Sequence, residues 1–176
     1  SGLTSSTNRT DGKIILKWFA SDRAESYKLY RSDSQSGTYN LLASGLVNLE
    51  YTDEFPSIIV GKNYYYKVSA VNVSGESQMS EYVAGNTKLA VPGNFSVSYS
   101  NKQVTLNWSA VIGATAYKIQ RRKFFETSYK NIGTTSSCNF IDTDLTWGQH
   151  HYYKVQAINS AASSDWSDSQ SVYVIW

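Results

Sequence analysis

The sequence predicts an all-β chain made of two antiparallel β-sandwiches in tandem. Three observations support this prediction: an ordered internal repeat, an alternation of apolar and polar residues with period two, and a composition that favours strands. Aromatic residues make up 14% of the 176 residues, and Tyr alone occurs 14 times. Large β-favouring side chains of this kind give a small domain enough buried area to fold, even near 90 residues.

The internal repeat divides the chain near its middle. Residues of the first half return in the same order in the second half, 87 to 90 positions later. Because the match spans both halves, it predicts two copies of one domain, which we place at residues 1–88 and 89–176. The recurring pairs include Trp18 and Trp108, Tyr27 and Tyr117, Arg31 and Arg121, Tyr39 and Tyr129, Gly61 and Gly148, Tyr66 and Tyr153, and Val68 and Val155.

Each copy shows the alternation expected of half-buried strands. In the first copy Ile14, Leu16 and Trp18 point to one face, and Lys17 points to the other. Similar short runs follow at spacings near ten residues, and turn residues such as Ser36-Gly37 separate them. Short strands with one buried face at this spacing indicate an antiparallel sandwich.

These marks resemble the fibronectin type III family. The family carries a Trp at the end of the second strand, a Tyr opening the third, and a Tyr-x-x-x-Val-x-Ala run in the sixth. The resemblance implies two immunoglobulin-like, seven-stranded β-sandwiches and covers essentially the whole chain. Residues 64–72 look more like bacterial members from secreted hydrolases and surface proteins than like animal adhesion proteins. The core residues that it implies are Trp18, Tyr27, Tyr64, Trp108, Tyr117 and Tyr153.

One departure from the family concerns the tyrosine corner, a Tyr at the start of the sixth strand whose hydroxyl bonds to nearby backbone. The first copy has Tyr64 at this position, and the second copy has His151. Because imidazole has the shorter reach, we expect a looser or water-bridged corner in the second copy. The junction at residues 85–92 is short, so we expect the two domains to be restrained relative to each other.

Charge and cysteine content exclude several classes of function. Sixteen basic and fourteen acidic residues leave a net charge of +2, without the basic field of a nucleic-acid binder. No apolar run is long enough to cross a membrane, so we expect no membrane insertion. Cys138, the single cysteine, allows no intrachain disulfide and is expected to be a buried apolar side chain.

The sequence contains no convincing catalytic or metal-binding constellation, and we expect a protein without cofactors. The only two histidines, His150 and His151, are adjacent and would point to opposite faces of a strand. The acidic pairs Asp53-Glu54 and Asp142/Asp144 are expected to form turns, with a weak calcium contact as the alternative.

Two places in the second copy are candidate ligand-binding sites. The first is a run of cations and aromatics where the third strand turns toward the next, which would suit an acidic partner or a sugar. The alternative is a solvated hairpin whose phenylalanines fold back onto the sandwich edge. The second place is the turn before the sixth strand, where an exposed Trp would offer a sugar platform or pack partly against the domain edge. The residues concerned are Arg121, Arg122, Lys123, Phe124, Phe125 and Trp147.

A third segment, Ser163-Ser164-Asp165-Trp166-Ser167, is similar to half of the Trp-Ser-x-Trp-Ser box of cytokine receptors. Ser163 stands where the first Trp of that box would be. Trp166 aligns with Met79 of the first copy, so we favour a packing role over a receptor role.

The sequence therefore favours a non-catalytic spacer in a larger secreted or cell-surface protein, with other domains of that protein as its partners. The alternative is a recognition or adhesion module that binds a protein or a glycan through loops or a strand edge of the second domain. Intracellular scaffolding is a third hypothesis. We expect a monomer that binds no nucleic acid.

Overall fold

The computed structural model describes residues 2–8 and 12–175, and for residues 6–8 it describes the backbone alone. Every regular element in these ranges is a β-strand, which confirms the all-β prediction. The chain forms two compact units, one ending at Thr87 and the other beginning at Lys88. The described part of the chain contains no helix long and apolar enough to span a bilayer.

The first unit consists of two antiparallel sheets. One sheet has the strand order β1-β2-β5, and the other has the order β4-β3-β6, with β7 and β8 both paired to β6. Its strands are β1 (Thr4–Asn8), β2 (Lys13–Lys17), β3 (Ser26–Ser32), β4 (Asn40–Leu46), β5 (Glu50–Glu54), β6 (Asn63–Asn72), β7 (Gly75–Glu76) and β8 (Val83–Asn86).

The second unit repeats this arrangement with seven strands. Its sheets have the orders β13-β10-β9 and β12-β11-β14-β15. The segment Pro92–Phe95, which resembles the opening strand of the family, ends just before the first of these strands. The strands are β9 (Ser96–Ser100), β10 (Gln103–Asn107), β11 (Ala116–Lys123), β12 (Lys130–Thr135), β13 (Asn139–Asp142), β14 (Gln149–Ile158) and β15 (Gln170–Val174).

Each unit closes its core around a Trp–Tyr pair. The rings of Trp18 and Tyr27 lie 5.7 Å apart, and those of Trp108 and Tyr117 lie 5.3 Å apart. The Tyr117 hydroxyl accepts a hydrogen bond from the Val111 N–H at 2.9 Å, so its polar end is satisfied inside the core. All six aromatic residues that the resemblance assigns to the cores are buried.

An Arg–Asp–Tyr cluster joins the two sheets of each unit, and it is buried in the second unit and partly exposed at Arg31 in the first. In the second unit the Arg121 guanidinium contacts the Asp142 carboxylate at 2.7 and 2.9 Å, and the Tyr153 hydroxyl donates to the same carboxylate at 2.8 Å. Burial and the nearby Asp142 charge raise the pKa of Tyr153, so it stays a neutral donor. Arg31, Asp53 and Tyr66 repeat this cluster in the first unit, with contacts of 2.8 to 3.1 Å.

This cluster corrects two sequence predictions. Asp53 and Asp142 are buried ion-pair partners in β5 and β13, whereas the sequence had suggested turn-forming acids or a weak calcium site. Arg121 is buried as well, so it does not belong to an exposed binding patch. The reason is the alternation along β11, which turns Arg121 to the inner face between Ile119 and the end of the strand.

The corner position is occupied by Tyr64 in the first unit and by His151 in the second, and both side chains contact nearby backbone. The Tyr64 hydroxyl accepts a hydrogen bond from the Ile59 N–H at 2.9 Å. His151, which is fully buried, contacts the backbone of Thr146 directly through Nε2, at 3.2 Å from the nitrogen and 3.0 Å from the oxygen. The contact is direct and not water-bridged, and it is longer than the 2.9 Å bond of Tyr64, which fits the expectation of a looser corner in the second unit.

Paired serines replace regular strand pairing beside β6 and β14. Ser77 and Ser80 each donate their backbone N–H to a carbonyl of β6 and accept an N–H of β6 on the hydroxyl. Ser164 and Ser167 do the same along β14. These bonds give the serines of the segment that is similar to half of the receptor box a structural role. In the first unit Ser77 and Ser80 lie between β7 and β8, so the edge that a single seventh strand would occupy is divided into these two short strands.

We expect removal of the buried carboxylate to destabilise the second unit strongly. Asp142→Ala removes the buried carboxylate that pairs with Arg121 and accepts from Tyr153, and it leaves Arg121 with its contacts to the exposed Asp144. The free energy of unfolding should therefore fall by about 3–5 kcal/mol. Calorimetry or urea unfolding of the whole chain measures this loss. Asp144→Ala is the matched control, because its carboxylate binds the same Arg121 but is 83% exposed, and its loss should stay below about 1 kcal/mol. Equal losses for the two variants would contradict a structural role for the buried pair.

We also expect acid to destabilise the second unit through His151. Burial lowers the pKa of His151 below its ordinary value of 6.5, so the unfolded chain takes up a proton at a pH where the folded chain does not. The free energy of unfolding should therefore decrease as the pH falls below about 6.5, by at most about 1.4 kcal/mol per pH unit.

Urea unfolding between pH 7.5 and pH 5 measures this dependence. His151→Phe should remove that part of the slope. His150→Ala leaves the buried imidazole in place and should retain it. A slope that is the same in His151→Phe and in the unsubstituted chain would exclude His151 as its source.

Candidate functional site

The most exposed of the candidate binding residues in the second unit lie in the turn that follows β11. β11 ends at Lys123, and Phe124 and Phe125 follow it in the turn. The Lys123 N–H donates to the Glu126 carboxylate at 3.0 Å, and the Lys130 ammonium contacts it at 2.6 Å. These two contacts, the backbone one first, lower the pKa of Glu126 to about 2. Glu126 therefore closes the turn and fixes where the two phenylalanines leave the strand.

Phe124 and Phe125 face solvent. Phe125 is 84% exposed and Phe124 is 51% exposed. Phe125 therefore does not fold back onto the sandwich edge in the way that the alternative of a solvated hairpin had predicted. The two rings meet edge to face, with their centroids 5.0 Å apart and an angle of 85° between their planes. They therefore present two nearly perpendicular aromatic surfaces.

Arg122 lies half-buried on the outer face of the sheet and is held in place. Its guanidinium lies 4.3 Å from the centre of the Tyr152 ring and 5.7 Å from that of Tyr129. It also donates to the carbonyl of Glu126 at 3.0 Å. On the other side, the Lys154 ammonium lies 4.9 Å from the centre of the same Tyr129 ring. This stack of cations and rings covers the middle of the sheet beside the phenylalanines.

An open groove lies between the turn after β11 and the strands β14 and β15. Its volume is about 220 Å³, and we call it the aromatic groove. His150 and Tyr173 are direct cross-strand partners on the outer face, and their rings meet at 5.1 Å. The Tyr173 hydroxyl donates to the Gly148 carbonyl at 3.1 Å, which fixes that ring. The lining residues are Phe124, Phe125, Gly148, Gln149, His150 and Tyr173.

Gly148 lines the groove in the turn just before β14. Its φ of +73° lies in the left-handed region, which side chains other than glycine adopt with strain. An added Cβ would meet no atom within 4 Å, so the requirement for glycine comes from the backbone turn. That turn brings the Gly148 carbonyl to the hydroxyl of Tyr173.

Comparison with solved structures identifies the fold. A two-domain fibronectin type III segment of chicken tenascin superposes with a TM-score of 0.74, covers 98% of each chain and is 17% identical in sequence. Both units have the fibronectin type III fold. No family model matches the chain.

Sequence relatives carry this kind of segment within longer enzymes. An amylopullulanase of Thermoanaerobacter thermohydrosulfuricus is 39% identical over 74 residues, a match that covers 42% of this chain and 5% of the enzyme. A poly(3-hydroxybutyrate) depolymerase of Ralstonia pickettii is 38% identical over 85 residues, which covers 48% of this chain and 16% of the enzyme. The chain thus spans a small fraction of these curated relatives.

The remaining candidate residues of the second fibronectin type III unit lie elsewhere. Trp147 is half-buried and packs edge to face on Tyr99 at 6.2 Å, in line with partial packing against the domain edge. Trp147 is not among the residues that line the aromatic groove. Cys138 is only half-buried, with its Sγ 3.8 Å from the Tyr117 hydroxyl, so the expectation of full burial is wrong.

Sequence reasoning missed the half of the groove that β14 and β15 supply. Gln149, His150 and Tyr173 are separated by more than twenty residues from Phe124 and Phe125 in the sequence. The alternation along the strands could have identified them. His150 is next to buried His151 and Tyr173 is next to buried Val174, so both side chains must point to the outer face. In the described ranges no group of three or more His, Cys, Asp or Glu residues is placed to hold a metal ion.

The two adjacent histidines should differ sharply in chemical accessibility. Diethyl pyrocarbonate near neutral pH should modify exposed His150 and spare buried His151, because the reagent must reach a ring nitrogen from solvent. Mass spectrometry of peptides from the modified chain measures both sites. The chain unfolded in urea is the control and should react at both. Equal reaction of both histidines in the folded chain would contradict the inward position of His151.

Proposed function

We propose that the two fibronectin type III units form a non-catalytic spacer or accessory segment of a larger secreted or cell-surface protein. The observation that carries this proposal is the small share of the relatives' length that the similar segments occupy. The matches cover 5% of an amylopullulanase and 16% of a poly(3-hydroxybutyrate) depolymerase. Both names describe enzymes that act on polymers, so we infer that the parent is an extracellular polymer-degrading enzyme and that the partners are its other domains.

The contacts inside each unit support the same proposal. The groups that most resemble reactive side chains, Arg121, Asp142 and Tyr153, satisfy one another within the core. A unit whose buried charges are paired internally can act as a rigid body between other domains. Such a segment works through its length and stiffness and requires no reaction chemistry.

A recognition role is the second candidate function, and the aromatic groove is the observation that favours it. Exposed aromatic rings beside polar groups are typical of binding sites on otherwise hydrophilic surfaces. The spacer role and a recognition role are compatible, because the groove occupies only one end of one unit.

A domain-swap experiment in the full-length parent protein tests the spacer role. Deleting residues 1–176 should lower activity on a long soluble polymer, because the flanking domains lose their separation. Inserting the two-domain tenascin segment, which shares the fold but only 17% of the sequence, should restore most of that activity.

The readout is the ratio of activity on the long polymer to activity on a short oligomer, which corrects for altered yield or folding. A fully active deletion variant would exclude a required spacer. Failure of the tenascin segment to restore the ratio would show that specific surface residues are needed instead.

A further inference from the structure

We propose that the aromatic groove binds a single sugar ring of a neutral polysaccharide chain. The site consists of Phe124, Phe125, Gly148, Gln149, His150 and Tyr173. This inference names the ligand class for the recognition role proposed above and rests on that role; it does not depend on the spacer role, because it concerns the surface of one unit.

The internal repeat shows that the fold does not require these aromatic side chains. The residues aligned with Phe124 and Phe125 in the first unit are Ser34 and Gln35, which are both exposed. The cross-strand pair His150–Tyr173 likewise corresponds to the pair Asn63–Asn86 on β6 and β8.

In the first unit the Asn86 amide donates to the Asn63 side chain at 2.8 Å, so two small polar groups complete the same position. The same β-sandwich is therefore built with serine, glutamine and asparagine at all four places. The fold therefore does not demand aromatic residues at these places, and a contiguous exposed patch of them is typical of an interaction site. A ligand that covers them accounts for their presence.

The shape of the groove suits a sugar ring. A pyranose has an apolar C–H face that stacks on an aromatic plane, and polar hydroxyls around its edge. The perpendicular rings of Phe124 and Phe125 offer such a plane with a wall beside it. The volume of about 220 Å³ is below the roughly 300–1,000 Å³ of pockets that enclose drug-sized ligands, which favours one ring of a chain that continues into solvent.

Polar groups stand where the hydroxyls of that ring would lie. The Gln149 amide and the His150 imidazole each offer both a donor and an acceptor. The Tyr173 hydroxyl donates to Gly148, so its oxygen remains able to accept a further hydrogen bond. Stacking with a few hydrogen bonds at the edge is the pattern by which aromatic sites hold amphipathic ligands.

The charge of the groove selects a neutral ligand. None of its six lining residues is Asp, Glu, Lys or Arg. The nearest cation of β11 on this face, Arg122, is engaged by Tyr152, Tyr129 and the Glu126 carbonyl. An anionic polysaccharide would therefore find no free cation here to bind its charges, whereas a neutral polysaccharide needs none.

Affinity electrophoresis of the whole 176-residue chain tests the proposal. The probes are three neutral polysaccharides, pullulan, mixed-linkage β-glucan and galactomannan, with anionic polygalacturonate as the contrast. At least one neutral probe should retard the chain, and polygalacturonate should not. Phe125→Ala should raise the apparent Kd roughly ten-fold, which corresponds to the loss of one stacked ring.

Phe19→Ala is the matched control, because Phe19 is 72% exposed in the first unit and lies outside the groove. This variant should bind like the unsubstituted chain. A second groove variant, His150→Asn, retains a polar group, copies the first unit and should also weaken binding. Thermal unfolding checks that each variant remains folded, as expected for substitutions at exposed positions.

Two results would overturn the proposal: no retardation by any neutral probe, or equal retardation of Phe125→Ala and the unsubstituted chain. If no neutral polysaccharide retards the chain, sedimentation of the same samples tests whether the groove instead contacts a second copy of the chain. Self-association that Phe125→Ala abolishes would show that the groove contacts a second copy of the chain, and the sugar proposal would be wrong. The swap experiment measures the parent protein and this one measures the isolated chain, so either can fail alone.

Discussion

Each unit depends on an ion pair that lies between its two sheets. Arg121 on β11 belongs to one sheet and Asp142 on β13 to the other, and Tyr153 on β14 completes the coordination of the carboxylate. Because a buried charge is costly unless it is paired, the packing that brings these three groups together is favoured over registers that would leave them unpaired. The first unit meets the same constraint with Arg31, Asp53 and Tyr66.

This constraint acts on the interior of each unit and does not act on its outer surface. Inside, the two copies keep the same Trp–Tyr pair, the same Arg–Asp–Tyr cluster and the same paired serines. Outside, in the turn after β11 and at the cross-strand pair His150–Tyr173, the second copy carries aromatic residues where the first carries small polar ones. A core that stabilises itself leaves the outer face free to diverge, and that divergence places the aromatic groove in the second unit alone among the described residues.

Sequence patterns predicted the fold well because they report which side of a strand is buried. Trp18, Tyr27 and their counterparts 90 residues later recur with apolar alternation, so both cores could be located directly. The patterns were less informative for polar residues. Arg121 belongs to a run of exposed-looking cations, yet its position on the inner face of β11 makes it a core residue. Asp142 was predicted to be a turn residue for the same reason. The sequence around a charged residue does not reveal which residue it will pair with in the folded protein.

By itself the sequence determined the number of domains, their strand content and the aromatic residues that fill them, since repeats and period-two alternation are local properties of a chain. Only the tertiary structure decided which polar groups meet. The Arg121–Asp142 pair and the His150–Tyr173 pair each join residues more than twenty positions apart, and their contacts follow from strand pairing and register. Register is set by the whole sandwich, so neither the buried cluster nor the aromatic groove can be read from any one segment.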